Sequence, residues 1–311
     1  MKKAVLTAIC LTVVTAFSAW SHVPDGQVLL AFQFPAGAEP TLDGDLSEWS
    51  VVPADYWIGP ELYKAPDGSQ WTDLSSYNSK VIVGYSASTD RIYMHHEYFD
   101  DFRKRDFANL PPVSGLFGDV PNLPDTFEMQ VDGDHAGDLS YADPGTEPEN
   151  GSRLAQNIHF RLPDLDPSVA NTNEEQTAWA WYWQSQATWT GNLPWAASGY
   201  TSDANELNAA DVNGKAEWML TVWDNLQWDD PDASQVHDLA EGEIIGINWM
   251  IADYDNLETN DKQEWYLSGD ATMWQTSATA TDFLLAPLEE VDFVTSVEAE
   301  SWGRIKAAFT E

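Results

Sequence analysis

The sequence predicts an all-β fold: an antiparallel β-sandwich of jelly-roll or immunoglobulin-like type, with a short C-terminal helix. Two observations carry this. Short runs rich in Val, Ile, Tyr, Phe and Trp alternate with Asp, Gly, Pro and Asn punctuation along the chain. Helical periodicity is scarce; the one good amphipathic stretch is Ser296–Phe309, where Val297, Trp302, Ile305 and Phe309 approximate one face.

The candidate strands follow in order. Val28–Phe34 is the first, and Lys80–Ser86 and Arg91–Phe99 make a pair turned at Thr89-Asp90. Thr126–Val131 is stopped by Asp132-Gly133-Asp134, and Asn157–Leu162, Thr177–Gln184, Lys215–Val222, Ile244–Ala252 and Phe283–Leu285 complete the set. Several alternate apolar and polar residues, as strands with one buried face do. The loops over residues 100–124 and 142–152 are rich in Pro, Gly and Asp and are expected at the surface.

The start of the chain reads as an export signal. Lys2 and Lys3 precede the apolar run Ala4–Phe17, and Ala19-Trp20-Ser21 offers a cleavage site. The expected organisation is a signal over residues 1–21, one β-domain over 22–290 and an amphipathic tail over 291–311. The expected location is secreted: extracellular, cell-surface or periplasmic. Cys10, the sole cysteine, falls in the signal, so the mature chain has no disulfide and no thiolate chemistry. Basic residues reappear in the tail, which either packs on the sandwich edge or docks on a surface or assembly partner.

Charge excludes whole classes of partner. Asp and Glu number 51 against 14 Lys and Arg, a formal charge of -37. Phosphate binding needs clustered cations, so nucleic acid is excluded and an anionic membrane surface disfavoured. Acidic surface solvates a chain in salty water, and a few of these carboxylates would suffice for a divalent cation. Oxygen clusters suit a hard ion such as calcium, in a structural role. Asp132, Asp134 and Asp138 form one set, and Asp253 and Asp255, beside Asn256, form another; turn chemistry explains the same residues without metal.

Sixteen tryptophans are the second anomaly. An indole packs on the C–H face of a pyranose as it does on any apolar surface. In Trp179-Ala180-Trp181-Tyr182-Trp183, strand geometry puts Trp179, Trp181 and Trp183 on one face. Rings two residues apart lie about 6–7 Å apart, close to one sugar unit. The ladder lies either in the core or along a bound glycan. Trp189 and Trp195 follow in a loop.

Other chemistry finds little support. There is no HExxH, GxSxG or phosphate loop, and His135, His159 and His237 are scattered. A haem would need an axial Met, His or Lys; Met94, His95, Met129 and Met250 lie on candidate strands, but no spacing singles out a pair. A glycosidase needs two carboxylates across one bond, and sequence does not place them.

Four ordered pieces resemble the family 9 carbohydrate-binding modules. They are Pro40–Trp49 (PTLDGDLSEW), Asp90–Met94 running to Phe99-Asp100-Asp101, Pro124–Asp134 (PDTFEMQVDGD), and a closing set. That set comprises Ala216–Leu220, Gly242–Trp249 and Asp253–Asn256, with Glu264-Trp265 and Asp282–Leu285 after it. In the first piece Asp-Gly makes a tight turn, Leu42 and Leu46 point inward and Trp49 plugs the end of the sandwich. The resemblance implies a β-sandwich that holds poly- or oligosaccharide without cleaving it, as an accessory to polysaccharide degradation. It also implies a wider superfamily with haem-binding members. Family 9 modules hold sugar between two tryptophans. The later one is matched by Trp265, with Trp274 as the alternative; at the earlier one this sequence departs and has Phe107 and Phe117 instead.

Overall fold

A computed structural model describes residues 26–104, 125–138, 153–160, 179–180, 188–191, 193–204, 208–227, 229–255, 263–273 and 275–291. The expected signal, residues 1–21, and the amphipathic tail from residue 292 lie outside the described residues, as do Phe107 and Phe117. No helix among the described residues is long and apolar enough to cross a membrane.

The strands are β1 (Val28–Gln33), β2 (Trp57–Ile58), β3 (Tyr77–Ser86), β4 (Arg91–Arg103), β5 (Thr126–Asp132), β6 (Ala155–Phe160) and β7 (Trp179–Ala180). They continue with β8 (Ala196–Ser202), β9 (Ala209–Thr221), β10 (Trp223–Asn225), β11 (Gln235–Val236), β12 (Ile244–Asp253), β13 (Gln263–Tyr266) and β14 (Thr281–Leu285). One sheet runs β7-β6-β5-β12-β14-β1, with β13 also on β12; the other runs β1-β3-β4-β9-β8, with β2 also on β3. The small β10-β11 ribbon stands apart.

The fold is therefore all-β, as the alternation predicts, with one departure from antiparallel pairing. β1 runs parallel to both its neighbours. Val28–Ala31 pairs with β14, and Phe32 and Gln33 pair with β3. Long stretches of chain separate β1 from each partner, so no hairpin forces the antiparallel sense. By passing from one sheet to the other, β1 closes one side of the sandwich. Its sequence suits that: consecutive Ala31 and Phe32 are both fully buried, one into each of two cores.

The main core fills the space between the sheets. Val81, Val83 and Met94 meet Phe127, Met129, Trp218, Ile247, Trp249 and Phe283 there. A second core lies on the outer face of β3, β4 and β9, where Ile82 and Tyr93 are covered by Phe32, Phe34, Leu46, Trp49 and Tyr56. Trp49 thus roofs the outside of the second sheet and does not plug the end of the sandwich. Alternation tells that a strand has two faces; it does not tell that both are covered. The roof is fixed from the sequence Asp43-Gly44-Asp45. Gly44 sits at φ +78°, the left-handed region glycine favours. The Asp45 carboxylate caps the short helical turn Leu46–Val51 by accepting from Ser47 N–H. Buried Glu217 then accepts from Trp49 Nε1 at 2.8 Å, Gly44 N at 2.9 Å and Asp43 N at 3.3 Å. Each large aromatic buried here stabilises by roughly 1.5–3 kcal/mol.

Candidate functional site

The sugar-contact tryptophans expected from sequence are placed unevenly. Trp265 pairs with Ile251 across β12-β13 and stacks on Trp71, ring centroids 4.7 Å apart and 15° from parallel. Trp71 is itself buried and packs on Tyr63 and Tyr77, so one face of Trp265 is taken by the core. The Trp265 indole N–H is buried without a hydrogen-bond partner among the described residues. Trp274, Trp181 and Trp183 lie outside the described residues, and of Trp179 only the backbone is described, paired with β6 at His159. Trp189 and Trp195 are not free in a loop. Each packs on buried Trp223, at 5.4 and 5.0 Å between centroids.

Both acidic sets draw together, one of them with unforeseen members. Carboxylate oxygens of Asp132, Asp134 and Asp138 lie within 4.8 Å of one another. Asp132 Oδ2 accepts from Gly137 N at 2.9 Å within the turn, and from Ser277 Oγ of the distant segment before β14. Burial, then the neighbouring Asp132, pushes the Asp134 carboxyl up to about 6. Asp253 and Asp255 fall into a larger cluster at the end of β4 and β12. Asp253 meets Asp100 and Asp125, and Asp255 meets Asp100 and Asp101, each trio within 4.8 Å. Burial first, and then the other carboxylates, raises the Asp253 carboxyl to about 8, and raises Asp100 and Asp125 too. Asp100, Asp101 and Asp125 escaped sequence reasoning as ligands because they stand on segments far apart in the chain.

The other feature missed is a groove of about 540 Å³ on the outer face of the second sheet, beside the Trp49 roof. Strand register builds its floor. Lys80, Glu97, Lys215 and Thr201 are paired neighbours across β3, β4, β9 and β8. Asn78, Phe99 and Asn213 form the next row. Asp203 closes one side, fixed by Asn213, whose N and Nδ2 donate to its two oxygens at 2.7 and 2.8 Å. On the other side Trp57 shares the face of its partner Ile82, and Lys80 Nζ lies 2.8 Å from its ring centroid. Trp57 is 39% exposed, the one aromatic among the seven most open large apolar side chains of the described residues. The available signal was local: Lys80 and Glu97 are charges inside otherwise apolar strand runs.

The residues considered for a haem axis are dispersed. Met94 and Met129 are in the main core, whereas Met250 packs on Tyr254 and Tyr266 outside the first sheet. His95 faces the roof, edge-on to Trp49 at 5.5 Å, and burial pushes its imidazole down to about 4.

No family model matches the chain, and no curated protein matches it. Among solved structures, a family 9 carbohydrate-binding module from Caldicellulosiruptor kristjanssonii in complex with cellotriose is similar at 13% identity. It covers 84% of this chain and 95% of that one, with a TM-score of 0.44. The glucose complex gives 12%, 85%, 97% and 0.45. A Bacteroides uniformis protein carrying a provisional carbohydrate-binding name gives 11%, 83%, 98% and 0.43.

Proposed function

We propose that this chain is an exported, non-catalytic module that holds poly- or oligosaccharide in the groove over β3, β4, β9 and β8. The observation that carries the reading is the groove's lining. Glu97, Asp203, Asn78 and Asn213 offer planar acceptors and donors, and Lys80 and Lys215 offer ammonium donors. Vicinal hydroxyls of a sugar can each give and take a hydrogen bond, so paired planar groups at strand spacing match them. Trp57, 39% exposed and capped on one face by Lys80, stands at the margin of the groove as the nearest indole for a C–H face. Two cations flanking one carboxylate are notable in a chain with so few; they keep the groove from being purely repulsive to electron-rich oxygens.

The sequence resemblance to family 9 modules supports binding in place of cleavage and an accessory role in polysaccharide breakdown. It differs from the groove reading in putting the sugar on Trp265. On the present reading residues 1–21 direct export, and the mass of the purified mature chain reports their removal.

Intrinsic tryptophan fluorescence, titrated with soluble plant and algal oligosaccharides, is the direct experiment. The expected result is a saturable change with one sugar class, at a dissociation constant of roughly micromolar to millimolar. Trp57→Ala should weaken it, and the oligosaccharide should be recovered uncut. A flat response to every sugar, or accumulation of shorter products, rejects the proposal.

A further inference from the structure

The groove holds two positive charges that lack a carboxylate partner, in a chain where partners abound. Asp and Glu outnumber Lys and Arg by 51 to 14. Lys80 and Lys215 are both cross-strand partners of Glu97, one on each side of it. Yet among the described residues no carboxylate oxygen lies within 4.0 Å of either ammonium, and neither ammonium donates a hydrogen bond. Three arginines, by contrast, are engaged within the fold. Arg91 donates to the Thr89, Asp90 and Pro194 carbonyls, Arg103 to Tyr200 Oη and Ser202 Oγ, and Arg153 to Asn225 Oδ1.

The groove's own carboxylates are turned elsewhere. Asp203 accepts from Asn213 N and Nδ2. Glu97 Oε2 lies 4.0 Å from Nε2 of His95, on its own strand. Lys80 is held by a ring instead, its Nζ 2.8 Å from the Trp57 centroid. A ring face attracts a cation without neutralising it. Burial lowers the Lys80 ammonium from its usual pKa, outweighing the opposite pull of Glu97. A partly desolvated cation without a counter-charge gains from an anion brought in from solvent.

The placement of the two ammoniums says how such an anion is built. Neighbouring strands are about 4.7–4.9 Å apart, so the Lys80 and Lys215 backbones stand about 9–10 Å apart across β4. Lys80 leans further away, toward Trp57 of β2, which flanks β3 on the side opposite β4. The ammoniums therefore address different sugar units. The net charge of -37 repels polyanions at a distance, but salt near 0.15 M screens that field beyond about 8 Å and screens contacts inside a groove much less.

Taking the groove as the sugar site, on which this step rests, we infer that its ligand is an acidic glycan: Lys80 and Lys215 hold carboxylate or sulfate groups on separate sugar units, and Glu97 accepts hydroxyls between them. An ammonium is a compact point charge, so uronates and sulfate esters both lie within its chemistry.

The test is calorimetric titration of the mature chain at about 0.15 M salt. The probes are short oligogalacturonates, their methyl esters, and sulfated galactan oligosaccharides before and after desulfation. One acidic form should bind about tenfold or more tighter than its own uncharged form, the worth of a charge-assisted hydrogen bond. Which form does so assigns uronate or sulfate. Lys215→Gln and Lys80→Gln should each erase most of that preference, and Lys215→Arg should keep it. If the half-buried Lys80 variant does not fold, Lys215→Gln, at an exposed position, decides. Equal affinity for charged and uncharged forms, weakened by Trp57→Ala, overturns this inference and leaves the groove reading standing. A preference for acid that survives both lysine substitutions also overturns it, because the charge is then read elsewhere. No binding of any form, or equal binding untouched by Trp57→Ala, removes the groove reading as well.

Discussion

His95 and His96 are adjacent on β4 and face opposite sides of the sheet. His96 lies in the main core, its Nε2 3.0 Å from Ser79 Oγ, and burial pushes its imidazole down to about 3. His95 sits under Trp49, and burial followed by the charges of Lys80 and Lys215 lowers it to about 4. The folded chain therefore refuses protons that the unfolded chain accepts. Stability from these groups is present above about pH 6.5 and is lost as pH falls toward 4. Between pH 7 and 4, the stability difference between the wild type and His95→Gln should move in the variant's favour by roughly 3 kcal/mol. Denaturant titrations across that range measure it, and a constant difference contradicts it. Glu217 works in the opposite sense, as an acceptor for three N–H groups. Glu217→Ala leaves those donors buried and unmet, and should cost about 3 kcal/mol in urea unfolding; a loss below about 1 kcal/mol would mean water replaces the carboxylate.

At the scale of elements, strands with strong alternation were legible and strands made by their neighbours were not. Residues 126–131 and 244–252 are read from sequence almost to their ends, because apolar residues recur with the pleat, whereas β3 begins three residues before the expected 80–86 and β4 runs on past the expected 91–99 to Arg103, into what reads as a polar loop. β8, with sequence AASGYTS, carries no such pattern. It is a strand because β9 pairs with it over seven residues and because Gly199 lets the Leu42–Gly44 turn lie against it. A Cβ at Gly199 would meet Asp43 N and the Leu42 carbonyl carbon at 2.4 Å. Both are backbone atoms and cannot swing aside. Gly199→Ala should destabilise by about 2 kcal/mol and unseat the Trp49 roof, seen as a change in near-ultraviolet dichroism. An unchanged unfolding midpoint would show that the turn gives way freely.

For the whole molecule, what sequence reveals depends on how far apart the partners stand. The Asp132, Asp134 and Asp138 set was legible because one turn holds all three. Asp253 and Asp255 were recognised by spacing, but their companions Asp100 and Asp125 arrive only when β4 meets β5 and β12. The groove is the extreme case: Lys80 and Glu97 stand out as charges within their strands, but only the pairing of β3, β4, β9 and β8 brings its lining together. Tryptophan abundance drew attention to Trp265, which the fold uses to extend a core stack, while the more exposed Trp57 went unremarked. Calorimetric titration of the preferred oligosaccharide into wild type, Glu97→Ala and Trp265→Ala tests the groove most directly. Binding should fall about tenfold or more in Glu97→Ala, the loss of a charged hydrogen bond, and persist in Trp265→Ala. Full binding in Glu97→Ala with loss in Trp265→Ala would contradict the groove and move the sugar to the aromatic stack.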